Sequence, residues 1–361
     1  MKETGLREKQ RGVALLAVLW LTAALSAMAL ATSYMVRTEV EAATNRIEAQ
    51  QGYFLARGGI EAAVDTIARS TFLTPGAGSE ADTRPEFVAG QRWISYEFPG
   101  GRCAVEVVPE NGKLNANLAP SEQLAALFRT LGVGAAESAE LALAIVDWRS
   151  PRTSEVGSVF DAYYDTLSEP YQARHAPLGQ LEELLPVKGM SRELFFGRLE
   201  ETRTGRWRRR PPLADLLTVA PTAGAVNLNS APLEVLQSLP GWDAAAAATV
   251  IGARERTPFE SLSELDAIAP SGGLAGGGAN LTIALEPFYT LTATCVPADA
   301  TARRSVRALL EITPNQPLYH QVVAWWDNWP YANEPPQTLA NRGAGGRAGV
   351  TETERENRGR T

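Results

Sequence analysis

The stretch Arg11–Arg69, RGVALLAVLWLTAALSAMALATSYMVRTEVEAATNRIEAQQGYFLARGGIEAAVDTIAR, decides how this chain is built. No charge interrupts it between Val13 and Val36, and those 24 residues exceed the roughly 20 a helix needs to cross a hydrocarbon core. Past Val36, helix-favouring residues continue, and the first proline is Pro75. Val36, Val40, Ala43, Ile47, Gln50, Phe54, Gly58 and Glu61 sample one partly apolar face. Gly52, Gly58 and Gly59 weaken the helix by up to about 1 kcal/mol each. The pattern predicts one helix from Val13 to about Arg69, roughly 85 Å long at about 1.5 Å per residue. Residues 13–36 form its transmembrane half and residues 37–70 project beyond. Before it, residues 1–12 carry Lys2, Arg7, Lys9 and Arg11 against Glu3 and Glu8, a basic flank that keeps this end cytoplasmic and sends the rest across the membrane. A cleaved secretory signal would have a shorter apolar core.

The remaining composition narrows the function. The chain has 361 residues, a net charge of −7 and 45% hydrophobic residues. A general nucleic-acid binder is disfavoured, because phosphate binding needs a basic surface. Two Cys and two His exclude zinc fingers, iron–sulfur clusters and His-rich metal centres. His175 and His320 have no nucleophile motif to serve. No enzymatic activity and no required cofactor are expected.

A short basic leader ending in Gly12, an apolar segment starting at once, and an amphipathic continuation resemble the signal of type IV pilins and type II secretion pseudopilins. The resemblance implies cleavage by prepilin peptidase between Gly12 and Val13, with the apolar segment retained and its new N-terminus methylated. Most of that family carry Glu at the fifth mature position, where this chain has Ala17. A carboxylate inside a bilayer is costly unless paired, and a subunit with no predecessor in the filament has no need of one. RGVALLAVLW with Ala17 resembles the large minor pseudopilin family GspK. That resemblance implies a non-enzymatic protein at the pseudopilus tip, anchored in the bacterial inner membrane with its bulk in the periplasm. It also implies partners among the other minor pseudopilins, of the GspI and GspJ kinds. Two readings stand beside it: a minor type IV pilin, and a membrane-tethered DNA-binding protein.

The expected fold class is α+β. After the loop TFLTPGAGSEADTRPEF, alternation in RWISYEF and the run CAVEVVPE mark two strands joined by FPGGR. FYTLTATCV and SVRALLEIT repeat the signal far downstream. A pilin-like helix and small antiparallel sheet are therefore expected, with sheet segments in 71–113 and 288–326 interrupted by an all-α insertion over 114–287. The GspK resemblance implies the same plan. Cys103 and Cys295 fall one in each sheet segment; export would permit a disulfide across the insertion, and the alternative is a pair of buried thiols.

Within the insertion, LNANLAPSEQLAALFRTLGV and VNLNSAPLEVLQSLPGW share Asn115/Asn227, Asn117/Asn229, Pro120/Pro232, Leu124/Leu236 and Leu127/Leu239. Proline suits a first helical position. Two related subdomains are expected, about 114–200 and 213–287, each with a second helix. The second resembles a helix-hairpin-helix (SAM-like) module with the turn Gly241, Trp242, Asp243. DNA-binding versions offer small residues and free N–H groups to a phosphate; a bulky ring and an acid here make nucleic acid an unlikely partner.

Family members resembling this chain carry acids after an Asp-Trp pair that are associated with calcium. Here Asp147, Glu155, Asp161 and Asp165 are the candidates, but Arg149 and Arg152 lie where acids belong. Calcium wants six to eight oxygens, so an ordinary loop is favoured. Arg203, Arg206, Arg208, Arg209 and Arg210 around Trp207 read as a solvated loop. Residues 327–361 are polar and Gly-rich and are expected to be disordered.

Overall fold

A computed structural model describes residues 4–73, 85–152, 157–201, 207–268, 280–298, 303–315 and 317–329. Helix α1 spans Thr4–Ala68 as one 65-residue element, about 100 Å at ~1.5 Å per residue. It starts nine residues before the expected Val13, because the leader's Leu, Arg, Glu, Lys and Gln are good helix formers with no proline among them. Within the apolar half, Thr22 and Thr32 donate to the carbonyls of Leu19 and Met28, so neither hydroxyl needs water.

The last turns of α1 lie across a five-stranded antiparallel sheet: β1 (Trp93–Phe98), β2 (Gly101–Pro109), β3 (Phe288–Pro297), β4 (Arg304–Ile312) and β5 (His320–Trp326), neighbours in that order. Ala56, Ile60, Ala63, Val64 and Ile67, spaced three and four apart, are buried against Val105, Val107, Leu291, Ala293, Val306 and Ala308. Of the three glycines that weaken the helix, two permit this packing. A Cβ at Gly59 would sit 3.2 Å from the Cys103 Cβ, and one at Gly52 would sit 2.9 Å from the Arg304 Cβ. Strand β5, HQVVAWW, has no separate alternation signal; its Val322 and Val323 are exposed on the sheet edge.

β2 and β3 pair directly although the insertion separates them, and their register sets Cys103 opposite Cys295. The two are joined by a disulfide, with Cα atoms 4.1 Å apart. Residues Asp327–Trp329, placed in the tail by sequence, are ordered: Asp327 accepts from the Trp325 indole and the Trp329 N–H donates to the Ser305 carbonyl. From residue 330 the expected tail lies outside the described residues.

The insertion has its own core around Leu124, Phe128, Ile145, Leu184, Leu213 and Leu236. Helices α2 (Ser121–Thr130) and α3 (Ala135–Arg149) form its first pair; α5 (Leu233–Gln237) and α6 (Ala244–Arg254) form the second, with α4 (Val159–Asp165) between. Pro120 and Pro232, expected at the first helical position, are instead N-caps in extended backbone, each one residue before its helix. Two two-residue parallel ladders also occur: Leu114–Asn115 with Leu217–Thr218 links the first subdomain to the second, and Val226–Asn227 with Leu281–Thr282 lies within the second.

Candidate functional site

Three places could carry function: the uncovered face of α1, the loop after Asp147, and the helix-pair turns. On α1, no part of the apolar half is buried, and Trp20 is 75% exposed. Ala17 is exposed as well, while Gly12 and Val13 lie inside the helix. The uncovered stripe runs past the membrane-length segment through Val36, Val40 and Ile47 to Phe54, which is 64% exposed. Spacings of four, three and four around Ala43 follow the heptad period that coiled-coil partners share. Among the described residues nothing covers that stripe before the sheet begins.

In the second place, Asp147, Asp161 and His175 bring one ligand atom each within 4.8 Å of one another. Asp161 is the N3 residue of α4 in a capping box with Ser158. Its Oδ2 accepts the Ser158 N–H at 3.0 Å and faces the Arg152 guanidinium at 3.5 Å. Its Oδ1 faces His175 Nε2 at 2.9 Å. Asp147 accepts the Ser158 hydroxyl at 2.9 Å. Burial pushes the Asp161 carboxyl up, but the bonds from His175 and Ser158 and the charges of His175 and Arg152 outweigh it and hold it below its ordinary value. Both His175 ring nitrogens face oxygens, the other being the Ser150 carbonyl at 3.2 Å. The expected calcium residues are thus only partly brought together. Asp165 is exposed and outside the cluster, and Glu155 lies outside the described residues. Calcium needs many oxygens; here an imidazole and a guanidinium take up the two oxygens of the Asp161 carboxylate and the Ser158 hydroxyl donates to Asp147, so the donor set does not fit it. His175 was legible only as a histidine in a polar turn, since its partner lies fourteen residues away in sequence.

The Asp-Trp and Tyr-Tyr pairs flanking this loop are structural. Trp148 packs edge-on to Tyr164 at 5.4 Å, and Tyr164 stacks on Tyr171 at 5.1 Å. Burial pushes the Tyr164 phenol up to about 12.

The third place is the turn at Gly241, Trp242, Asp243. Gly241 has φ +79°, Trp242 is buried in the core, and the Asp243 carboxylate accepts the Ala246 N–H at 2.7 Å. The N-terminus of α6 is therefore already capped by an anion of this chain. The first pair turns through Gly132, also at φ +79°. Trp207–Arg209, expected in a loop, instead pairs antiparallel with Leu199–Glu201, and Arg210 donates to the Leu131 carbonyl at 2.7 Å. Arg203 and Arg206 lie outside the described residues.

A buried ion pair that the sequence concealed sits where sheet and insertion join. Lys113 Nζ lies 2.5 Å from Glu110 Oε1, and the hydroxyls of Thr290 and Thr218 donate to the two Glu110 oxygens. Burial opposes the charge on Glu110, but Lys113 and the two threonines hold its carboxyl below the ordinary range. Glu110 ends the strand run CAVEVVPE and Lys113 lies beyond it, so no local pattern marks the two as a buried pair.

Residues 105–199 and residues 226–285 match two family models, each described as "Type II secretion system (T2SS), protein K". Over these two stretches the chain is similar to the type II secretion system protein K family. Both matches fall on the insertion and its border with the sheet. This is a family of structural pseudopilins and not a known enzyme class. Among solved structures, a chain of "The Crystal Structure of the GspK-GspI-GspJ complex from enterotoxigenic Escherichia coli Type 2 Secretion System" is 17% identical with a TM-score of 0.49; the match covers 78% of this chain and 98% of that one. No curated protein matches.

Proposed function

We propose that this chain is a protein K that caps the tip of a type II pseudopilus and helps initiate its assembly, with no catalytic activity of its own. The observation that carries this reading is a single rod whose first half is apolar and uncovered, while its second half is fastened to a broad head. Prepilin peptidase would cut between Gly12 and Val13, leaving the rod in the inner membrane and the head in the periplasm. Ala17 needs no buried partner, as suits a first subunit. Companion minor pseudopilins, GspI- and GspJ-like, would pack along the rod through the small surfaces of Ala14, Ala23, Ala24 and Ala27 in lipid and through Val40, Ile47 and Phe54 beyond it. The insertion would deny a further subunit any place above. A cofactor is not part of this reading, and the capped turn at Asp243 speaks against nucleic acid.

Mass spectrometry of the mature N-terminus in cells with and without prepilin peptidase tests the first step. A mature chain beginning at Val13 only when the peptidase is present supports the proposal; trimming elsewhere would remove its foundation. Deletion of the gene should then halt export of the folded substrates of the system.

A further inference from the structure

The atoms that Asp147, Asp161 and His175 gather near the end of α3 do not suit calcium, yet one imidazole nitrogen and two carboxylate oxygens are donors that zinc takes. His175 Nε2 and Asp161 Oδ1 are already 2.9 Å apart, and all three ligand atoms lie within 4.8 Å of one another. Zinc bonds of about 2.0–2.2 Å in tetrahedral array hold ligand atoms about 3.4 Å apart. Closing the set on one ion therefore asks for side-chain shifts of only about 1–1.5 Å. The site is largely shielded: the His175 and Asp161 side chains are 11% and 9% exposed, and Asp147 is half-buried.

Each of the three residues also has a partner outside the set. His175 Nδ1 faces the Ser150 carbonyl at 3.2 Å, Asp161 Oδ2 accepts the Ser158 N–H at 3.0 Å, and Asp147 Oδ2 accepts the Ser158 hydroxyl at 2.9 Å. Metal-binding histidines are built this way: the far nitrogen donates to a backbone carbonyl, which fixes the ring and leaves the near nitrogen bare for the ion. Ser150 in turn donates its hydroxyl to the Val146 carbonyl at 2.6 Å. The helix end that carries Asp147 thus also carries the brace for His175.

The arginines that replace the expected acids leave room for a cation. Arg149 is turned away, its guanidinium donating to the carbonyls of Ala116 and Ala119. Arg152 stands 3.5 Å from Asp161 Oδ2 with a side chain 45% exposed, so it can turn into water. Two carboxylates then balance a divalent charge. With three protein donors, one of them nitrogen, and a water as the fourth, the set matches zinc; calcium wants six to eight oxygens.

We propose that Asp147, Asp161 and His175 bind one zinc ion as a structural brace that ties the end of α3 and the start of α4 to the turn at His175. The site goes beyond the capping role and would stand whatever the rod assembles with. The full chain in detergent, without a histidine tag and stripped of metal, should take up one zinc per chain. Its melting midpoint should rise by a few degrees once free zinc exceeds the dissociation constant about a hundredfold, and calcium should give no such rise. Cobalt(II) in place of zinc should show the visible absorption of a four-coordinate ion. His175→Gln, and Asp147→Asn as a milder second variant, should each weaken zinc uptake roughly tenfold or more, judged against the variant's own metal-free midpoint. His320→Gln and Asp165→Asn should bind zinc as the parent does. No zinc uptake, uptake unchanged in His175→Gln and Asp147→Asn, an equal response to calcium, or loss of uptake in His320→Gln overturns the proposal.

Discussion

Asn117 and Asn229 make the same pair of bonds in the two halves of the insertion. Asn117 donates to the Leu178 carbonyl at 3.0 Å and accepts the Leu178 N–H at 2.8 Å. Asn229 does the same with Phe259, at 2.9 and 2.8 Å. In each case the preceding asparagine, Asn115 or Asn227, accepts the N–H of the second at 2.9 Å. The Asn-x-Asn repeat is thus a clamp that pins a distant strand of loop to the mouth of a helix pair. Replacing Asn229 by Ala strands a buried N–H and carbonyl, and each orphan costs about 1–3 kcal/mol. Asn229→Ala should therefore destabilise the protein by about 2–4 kcal/mol in urea unfolding. Asn117, half-buried, should cost less, because water has access to its side of the pair and can fill the place of the lost amide.

The disulfide offers a second test. Cys103 and Cys295 are 192 positions apart, so the bond closes a loop that includes the whole insertion. Removing such a long closure costs about 3–5 kcal/mol in the chain-entropy account. Cys103→Ala with Cys295→Ala, or reduction with dithiothreitol, should lower the unfolding midpoint by that measure while leaving far-UV circular dichroism unchanged, since the β2–β3 ladder holds without it. An unchanged midpoint would mean the bond contributes nothing beyond the ladder.

The long helix, four of the five strands and the doubled helix pairs were legible because they rest on periodicity and on turn residues, which are local. β5 was missed because HQVVAWW is an exposed edge with too little alternation to read. The clamp asparagines were visible as a repeat, but their partners were not, since Leu178 and Phe259 carry no signal of being held by their backbone. The same holds for Glu110 and Lys113, whose desolvation depends on Thr218 and Thr290 from distant segments. Glycines misled in one respect: Gly59 lowers helix propensity, yet its missing Cβ lets α1 approach Cys103.

The Glu110 pair predicts acid sensitivity. Its folded carboxyl titrates below its unfolded value, so the stabilisation is present above the unfolded pKa, about 4.3, and is lost as pH falls through the lower folded value. Asp161 behaves alike from about 3.9 downward. Stability measured by denaturant should fall steeply below about pH 4. Lys113→Met leaves a buried carboxylate alone and should cost about 3–5 kcal/mol at neutral pH, a loss that shrinks as the medium is acidified. A loss independent of pH would assign Lys113 a packing role instead.

The loop after Asp147 predicts indifference to calcium. His175 and Arg152 already answer the Asp161 charge, so millimolar calcium and a chelator should give the same melting midpoint. A rise of several degrees with calcium would show that the loop can rearrange to bind it. His175→Ala removes the one side chain bonding both Asp161 and the Ser150 carbonyl and should destabilise by about 1–3 kcal/mol.

The uncovered stripe beyond the membrane segment separates folding from assembly. Val40, Ile47 and Phe54 are all more than half exposed, so their loss leaves no cavity in this chain, and Ile47→Glu with Phe54→Glu should change its melting midpoint little. If companion helices share that stripe, each buried Ile or Phe contributes about 1.5–3 kcal/mol to the contact, and the double variant should weaken co-purification with minor pseudopilins at least tenfold while the head stays folded. Undiminished co-purification would move the contact to the head or to the lipid-embedded half. In that case Ala23→Leu with Ala27→Leu, which thickens the apolar rod at its small surfaces, becomes the variant that breaks the assembly.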